Sequence, residues 1–267
     1  MIDPAKVCLY IPPGLKRFKL DLFERIAGKI EKMGGRVIRH DAPKLDLLPA
    51  DITPIIGCQF EVTALIAKWR AAKRPWIYWD RGYWLRCFAT SLPRGTDGGL
   101  YRWHLNSFQL QSIGNMPRDR FDRNPPPVEP WKKGGRHIVI AAPTRTYARF
   151  HRCETWIADT IDALARVTDR QLVIRDKEHC RNRPLQRDLA GAHALVAHGS
   201  IAAVESIILG CPVFVHSDSA ASLMGFTDLS KIEKPTYPDR QPWLNSLANS
   251  HFNETELVDG TLFRLIT

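Results

Sequence analysis

The chain has 267 residues, of which 44% are hydrophobic and 25% are charged, a composition typical of a folded globular protein and unlike that of a disordered one. Its formal net charge is +10, which favours a polyanionic partner such as nucleic acid. The six cysteines form no CxxC pair, the N-terminus lacks a signal-peptide core, and no apolar run is long enough to span a membrane. We therefore expect a cytoplasmic protein with reduced thiols, no zinc site and no membrane span.

The first 80 residues alternate between short apolar runs and amphipathic stretches. Strands are predicted at KVCLYIP, RVIRHD, ITPIIGC and WIYWD, and helices at LDLFERIAGKIEKMGG and QFEVTALIAKWRAAK. This alternation indicates βαβ units and a parallel sheet, with functional loops at the carboxyl ends of the strands.

Residues 117–135 (PRDRFDRNPPPVEPWKKGG) contain five prolines and predict a semi-rigid linker. After them, strands are predicted at HIVIAAP, RQLVIRDK, HALVAHG and CPVFVH, with helices at CETWIADTIDALARV, PLQRDLAGA and the run after His198. Two short helices are expected at the end, the second with a capping box formed by Asn253 and Glu256. The sequence thus predicts an α/β protein with two Rossmann-like domains, residues 1–116 and 136–267, and ligands in a cleft between them.

The most informative stretch is AHGSIAAVESIILGCPVFVH, from Ala197 to His216. GxGxxG, GxxxxGK[ST] and GxSxG are all absent from the chain, which disfavours a nicotinamide dehydrogenase, a P-loop kinase and the usual nucleophile elbow. On a purely structural interpretation, Ser200 caps a helix, and Glu205 only interacts with the helix dipole or faces solvent. The same turn can instead bind a phosphate at the helix start, with Glu205 accepting hydrogen bonds from a ribose.

This stretch resembles the nucleotide-sugar-binding segment of GT-B glycosyltransferases, through His198-Gly199-Ser200, Glu205, Gly210 and Pro212-Val213. The order of elements in the C-terminal half is also similar to that of small glycosyltransferase-like proteins of tailed phages, some of them tied to hypermodified DNA. The resemblance implies a GT-B-like fold in which His198, Gly199 and Ser200 hold the donor diphosphate and Glu205 binds the ribose. It implies no metal and no cofactor, with a UDP-sugar as the expected donor.

Two further groups of residues follow from that expectation. Arg175 and Lys177 close the strand LVIRDK, and Arg145 follows the strand HIVIA, so all three are candidates for balancing the charge of the diphosphate leaving group. Ordinary solvated charge is the alternative for each of them. Asp80 ends the strand WIYWD and is the candidate base that removes the proton of an acceptor hydroxyl, with Asp41 as the second choice. The alternative is that Asp80 only caps a turn.

The candidate acceptor-binding residues combine cations and aromatic rings, which suit phosphate contacts and base stacking. They are Lys16, Arg17, Lys19, Arg81, Tyr83, Trp84 and Arg102. Alternatively, the aromatic rings pack in the core while the arginines reach out from it.

We expect a glycosyltransferase whose acceptor is DNA, most specifically a hydroxymethylated pyrimidine of phage DNA in the host cytoplasm. The alternatives are a transferase with a surface glycan or small-molecule acceptor, a non-catalytic DNA-binding protein with the same fold, and a nucleotide-sugar epimerase.

Overall fold

The computed structural model of the protein describes residues 2–84, 99–176 and 183–266. In these residues the strands are β1 (Val7–Ile11), β2 (Arg36–Arg39), β3 (Thr53–Ile56), β4 (Ile77–Arg81), β5 (Leu100–Leu105), β6 (His137–Ala141), β7 (Gln171–Arg175), β8 (Ala192–Ala197), β9 (Val213–Val215) and β10 (His251–Asn253). The α-helices are α1 (Arg17–Lys32), α2 (Thr63–Ala71), α3 (Asp119–Arg123), α4 (Arg145–His151), α5 (Trp156–Ala165), α6 (Leu185–Leu189), α7 (Ile201–Ile208), α8 (Gln241–Asn249), α9 (Glu254–Val258) and α10 (Leu262–Leu265). The elements predicted from the sequence are confirmed, and β5, α3, α4, β10 and α10 are additional to them. None of the described helices is long and apolar enough to cross a membrane.

The chain forms two compact units. Unit 1 comprises Met1–Phe108 and Asn249–Thr267, and unit 2 comprises Gln109–Ala248. These boundaries differ from the sequence-based ones, because β10 pairs with β5 and so carries the end of the chain into the sheet of unit 1. The capping box of Asn253 and Glu256 is present at the start of α9, which therefore also lies in unit 1.

Unit 1 is built on a six-stranded sheet in the order β10-β5-β4-β3-β1-β2. Strands β1 to β4 are parallel, whereas β5 is antiparallel to both of its neighbours. Helix α1 packs on the sheet through a buried apolar stripe that includes Phe23, whose ring centroid lies 4.2 Å from that of Trp79 on β4. The chain passes from β1 to β2 on one side and then to β3 on the other, so the sheet has a topological switch point at the carboxyl ends of β1 and β3.

Unit 2 has a four-stranded, wholly parallel sheet in the order β7-β6-β8-β9. Its core is aliphatic and aromatic, with Ile138, Ile140, Val196 and Phe214 fully or almost fully buried. The order of strands reverses between β6 and β8, which places a second switch point at their carboxyl ends. The loops that follow β6 and β8 therefore meet at the position where open α/β sheets bind ligands.

The proline-rich segment 117–135 belongs to unit 2 and is not a free linker. It contains α3, and its backbone covers the carboxyl end of α7: the N–H of Glu129 donates to the carbonyl of Ile208 at 2.9 Å. Gly210 has a φ of +76°, and a Cβ on it would lie 2.0 Å from the carbonyl oxygen of Pro130. Arg240 donates to the carbonyls of Ile207 and Glu129 at 2.7 Å each. These bonds satisfy carbonyls that the end of a helix leaves without partners.

Candidate functional site

The turn His198-Gly199-Ser200 joins β8 to α7 at the switch point of unit 2. Ser200 caps the helix as predicted, because its Oγ accepts a hydrogen bond from the N–H of Ala202 at 3.2 Å. The apolar face of α7 is buried, whereas Glu205 is partly exposed. The arrangement places the amino end of the helix, which favours anions, at the carboxyl edge of a parallel sheet.

The backbone of this turn is held on both sides of Gly199. A Cβ at Gly199 would lie 2.2 Å from the Tyr147 hydroxyl, so the position requires glycine unless Tyr147 moves. The buried Gln109 donates from Nε2 to the Gly199 carbonyl at 2.6 Å and accepts from the N–H of Ala220 at 2.9 Å. The turn is therefore fixed before any ligand binds, which reduces the entropy lost on binding.

Imidazole and aromatic rings surround His198, which is 8% exposed. His216 follows β9 and stacks on His198, with ring centroids 4.4 Å apart and an interplanar angle of 8°. The Tyr147 hydroxyl lies 3.2 Å from His198 Nδ1, and the Tyr147 ring stacks on His151 at 4.0 Å. Burial and, secondarily, His216 lower the pKa of His198 to about 4. His198 is therefore neutral at physiological pH.

The predicted diphosphate-binding cations are placed differently from one another. Arg145 is exposed at the first position of α4. Arg175 forms an ion pair with the buried carboxylate of Asp188 and donates to the carbonyl of Arg183 at 2.7 Å. Asp188 also pairs with Arg183, so this cluster carries two guanidinium groups for one carboxylate. Lys177 lies outside the described residues.

Asp80 lies near the carboxyl end of β4 and pairs across the sheet with Arg102 of β5. Arg102 Nη2 donates to Asp80 Oδ2 at 2.8 Å, and the N–H of Arg81 donates to Oδ1 at 2.7 Å. The side chain of Arg102 is 5% exposed and that of Asp80 is 36% exposed. Asp80 is thus both the counterion of a buried cation and a carboxylate that reaches solvent. Asp41, the second choice, forms an ion pair with Lys44 at 2.9 Å.

The aromatic residues of the predicted acceptor group are inside unit 1. Tyr83 and Trp84 are buried, and the hydroxyl of Tyr83 hydrogen-bonds to His104 Nε2 at 2.9 Å. Arg102 lies over the Tyr83 ring at 5.2 Å. Stacking with an acceptor base requires an exposed ring face, so Tyr83 and Trp84 follow the alternative prediction of core packing. Arg102 is itself buried and does not reach out from the core, as that alternative predicted for the arginines. None of the three is accessible to an acceptor.

The remaining cations of that group are accessible. Lys16 and Arg17 are exposed at the start of α1, which follows β1 at the switch point of unit 1. Lys19 is partly exposed, with Nζ 5.5 Å above the Trp79 ring. Arg81 is also partly exposed, and its carbonyl accepts a hydrogen bond from Arg102. Among the described residues, no group of three or more His, Cys, Asp or Glu side chains is arranged to hold a metal ion.

A solved structure with a similar fold aligns with nearly all of the chain. It is the Thermosulfurimonas dismutans KpsC, beta Kdo 2,7 transferase, which aligns with 96% of this chain and 99% of its own at 12% identity and a TM-score of 0.50. The chain has a GT-B-like α/β fold. A subunit of an ABC sugar transporter from Rhodobacter sphaeroides 2.4.1 aligns at 10% identity over 85% of this chain and 87% of its own, with a TM-score of 0.26. No protein-family model and no curated protein sequence matches the chain.

The GT-B-like fold brings together residues that the sequence analysis did not single out. Tyr147 and His151 come from α4, His216 follows β9, and Gln109 opens unit 2. No fixed spacing connects them, because they meet through the order of parallel strands. The one available signal was the position of His216 directly after the strand VFV, equivalent to that of His198 after β8.

Proposed function

We propose that this protein transfers a sugar from a nucleotide-diphosphate sugar to a hydroxyl acceptor, without a metal ion. The observation that carries the proposal is the turn His198-Gly199-Ser200, held rigidly at the switch point of unit 2 and leading into the capped helix α7. The likeness to a solved transferase structure supports the same class of reaction.

In this proposal unit 2 binds the donor, for which we favour a UDP-sugar. The N–H groups at the start of α7 bind the diphosphate, and Glu205 accepts hydrogen bonds from the ribose. Arg145, Arg175 and Lys177 balance the charge of the leaving nucleoside diphosphate. Because Arg175 already has an acidic partner, Arg145 is expected to contribute more than Arg175 to the stabilisation of the diphosphate.

Unit 1 binds the acceptor, and Asp80 acts as the base. Its carboxylate accepts two hydrogen bonds within unit 1 and retains further acceptor capacity on a side chain that reaches solvent. In an inverting transfer, Asp80 takes the proton of the acceptor hydroxyl, the oxygen attacks the anomeric carbon, and the bond from that carbon to the diphosphate oxygen breaks. The products are the glycosylated acceptor and a nucleoside diphosphate.

For the acceptor we propose DNA carrying a hydroxymethylated pyrimidine. The net charge of +10 and the cations Lys16, Arg17 and Lys19 suit contacts with phosphate. A second candidate is a saccharide acceptor, which the name of the KpsC structure favours, since that protein is described as a Kdo transferase.

A thermal-shift screen of the purified protein against nucleotides and nucleotide sugars tests the donor site. A ligand present at 100 times its Kd adds about 2.7 kcal/mol of stability, which moves the melting temperature measurably. We expect one nucleotide sugar to do so in the wild type and in the exposed control Glu154→Gln, and much less in Glu205→Gln. Both variants remove one carboxylate charge from a glutamate of unit 2.

The acceptor is tested next by incubating labelled donor with hydroxymethylated DNA, unmodified DNA or oligosaccharides. Label on hydroxymethylated DNA alone supports the first acceptor, and label on an oligosaccharide supports the second. Binding of DNA with no response to any nucleotide or nucleotide sugar would show a DNA-binding protein rather than a transferase.

A further inference from the structure

The hydroxyl of Tyr147 occupies the space that a side chain on residue 199 would fill. A Cβ on Gly199 would lie 2.2 Å from this oxygen, and His198 Nδ1 lies 3.2 Å from it. His151 stacks on the other side of the phenol ring at 4.0 Å, and α4, which carries both residues, is fixed by its Thr144 cap. The phenol is therefore positioned against the turn through several independent contacts.

His198 has one ring nitrogen that the protein uses and one that it does not. Nδ1 faces Tyr147, whereas no described residue hydrogen-bonds to Nε2, although the residue is 8% exposed. The titratable and aromatic groups around the ring are His216 after β9, Asp218 beyond it, Tyr147 and His151 of α4, and Trp156 of α5. The hydrogen-bonding capacity of Nε2 is therefore left for a ligand.

A neutral imidazole carries a single N–H, so the group that faces Nδ1 decides what Nε2 can do. If the Tyr147 hydroxyl donates to Nδ1, the proton of the ring lies on Nε2 and can be donated to an anionic oxygen. If Nδ1 donates to Tyr147 instead, Nε2 presents a lone pair, which would repel that oxygen. The start of α7, three residues further along the chain, favours an anion at this place.

We propose that Tyr147 is a positioning residue that holds His198 as its Nε2–H tautomer, so that the neutral ring donates a hydrogen bond to a phosphoryl oxygen of the ligand at the start of α7. The identity of that ligand as a nucleotide-diphosphate sugar rests on the proposed function. The hydrogen bond itself requires only a phosphoryl group. His216, stacked on the ring of His198, fixes the plane of that ring.

The tautomer is read directly from long-range 1H–15N correlation spectra of the imidazole rings, with His198→Asn identifying the signals. We expect a single Nε2–H tautomer in the wild type between pH 8 and pH 6, and a mixture of tautomers in Tyr147→Phe. Tyr237→Phe, the same change at a tyrosine that packs on Trp131 in unit 2, should leave the spectrum unchanged. A wild-type Nδ1–H tautomer, or a spectrum that Tyr147→Phe does not alter, would overturn the proposal.

Inorganic pyrophosphate is the probe of the second step. It should shift the Nε2 signals of His198 in the wild type, and Tyr147→Phe should weaken its binding about fivefold to tenfold, the effect of one hydrogen bond. If pyrophosphate shifts His198 but no nucleotide sugar binds, the proposed function is wrong and this phosphoryl site stands. If nucleotide sugars bind while His198 does not respond to them or to pyrophosphate, this inference is wrong and the proposed function stands.

Discussion

Replacing Asp80 by alanine is expected to destabilise unit 1, because the substitution leaves the guanidinium of Arg102 buried without its carboxylate. Removing one partner of a buried ion pair costs about 3–5 kcal/mol. Arg102 is 5% exposed but Asp80 is 36% exposed, so water can replace part of the lost carboxylate. We therefore expect a loss of about 3 kcal/mol, at the lower end of that range.

A double-mutant cycle isolates the pair from other effects of the substitution. In an Arg102→Met background there is no cation to leave uncompensated, and Asp80→Ala should then cost less than about 1 kcal/mol, which gives a coupling of about 2 kcal/mol. Equilibrium unfolding in urea, followed by tryptophan fluorescence, measures all four proteins. Additive effects, with a coupling below about 0.5 kcal/mol, would refute the assignment of Asp80 as the counterion of Arg102.

Three further outcomes follow from the buried histidines and the glycines. Burial lowers the pKa of His198 to about 4 and that of His104 to about 3, below the ordinary 6.5 of an unfolded chain. The unfolded state therefore binds more protons than the folded state below about pH 7. We expect the free energy of unfolding to be constant above about pH 7 and to fall by a few kcal/mol as the pH drops towards 4. A urea midpoint that stays constant from pH 7 to pH 4 would contradict this. Gly210→Ala should lower the free energy of unfolding by more than about 1 kcal/mol, because alanine is strained at positive φ and its Cβ would clash with the backbone of Pro130. The control Gly28→Ala, in open space on α1, should be neutral or stabilising in the same urea assay. Gly199→Ala should displace Tyr147, which lowers the melting temperature of the free protein and abolishes the additional shift that a nucleotide sugar causes. An undiminished ligand shift, measured against the free variant, would show that the turn is not the donor site.

Much of the fold could be predicted because it depends on short, local sequence patterns. The continuous apolar run of β1 marks a strand buried on both faces, and the Gly-Ser turn before an apolar stretch marks the start of α7. The capping box at α9 is likewise a short-range signal. Each of these features depends on residues within a few positions of one another.

The features that sequence analysis missed depend on distant partners. In β5, Arg102 and His104 alternate with apolar residues, as in a half-exposed strand, yet both are buried because Asp80 and Tyr83 provide polar partners. The three-residue strand β10 has no pattern of its own and forms only by pairing with β5. Its assignment to unit 1 could therefore not be derived locally.

The residues of the candidate site also comprise some that local sequence predicts and others that depend on distant partners. His198, Gly199 and Ser200 are contiguous and could be selected from the sequence, whereas Tyr147 and His216 reach the turn only through the placement of β6, β8 and β9 side by side. The proposed stacking role of Tyr83 and Trp84 relied on composition alone, which does not reveal whether an aromatic ring faces solvent or the core.

The return of the chain from unit 2 into the sheet of unit 1 sets an order of events during synthesis. All residues of unit 2 have been translated before β10 exists, so unit 2 can fold on the ribosome while β5 still has an open edge. Unit 1 reaches its final six-stranded form only afterwards, when β10 covers that edge. Nascent chains stalled before residue 249 are therefore expected to expose a pairing-competent strand, and such intermediates are the ones on which chaperones act.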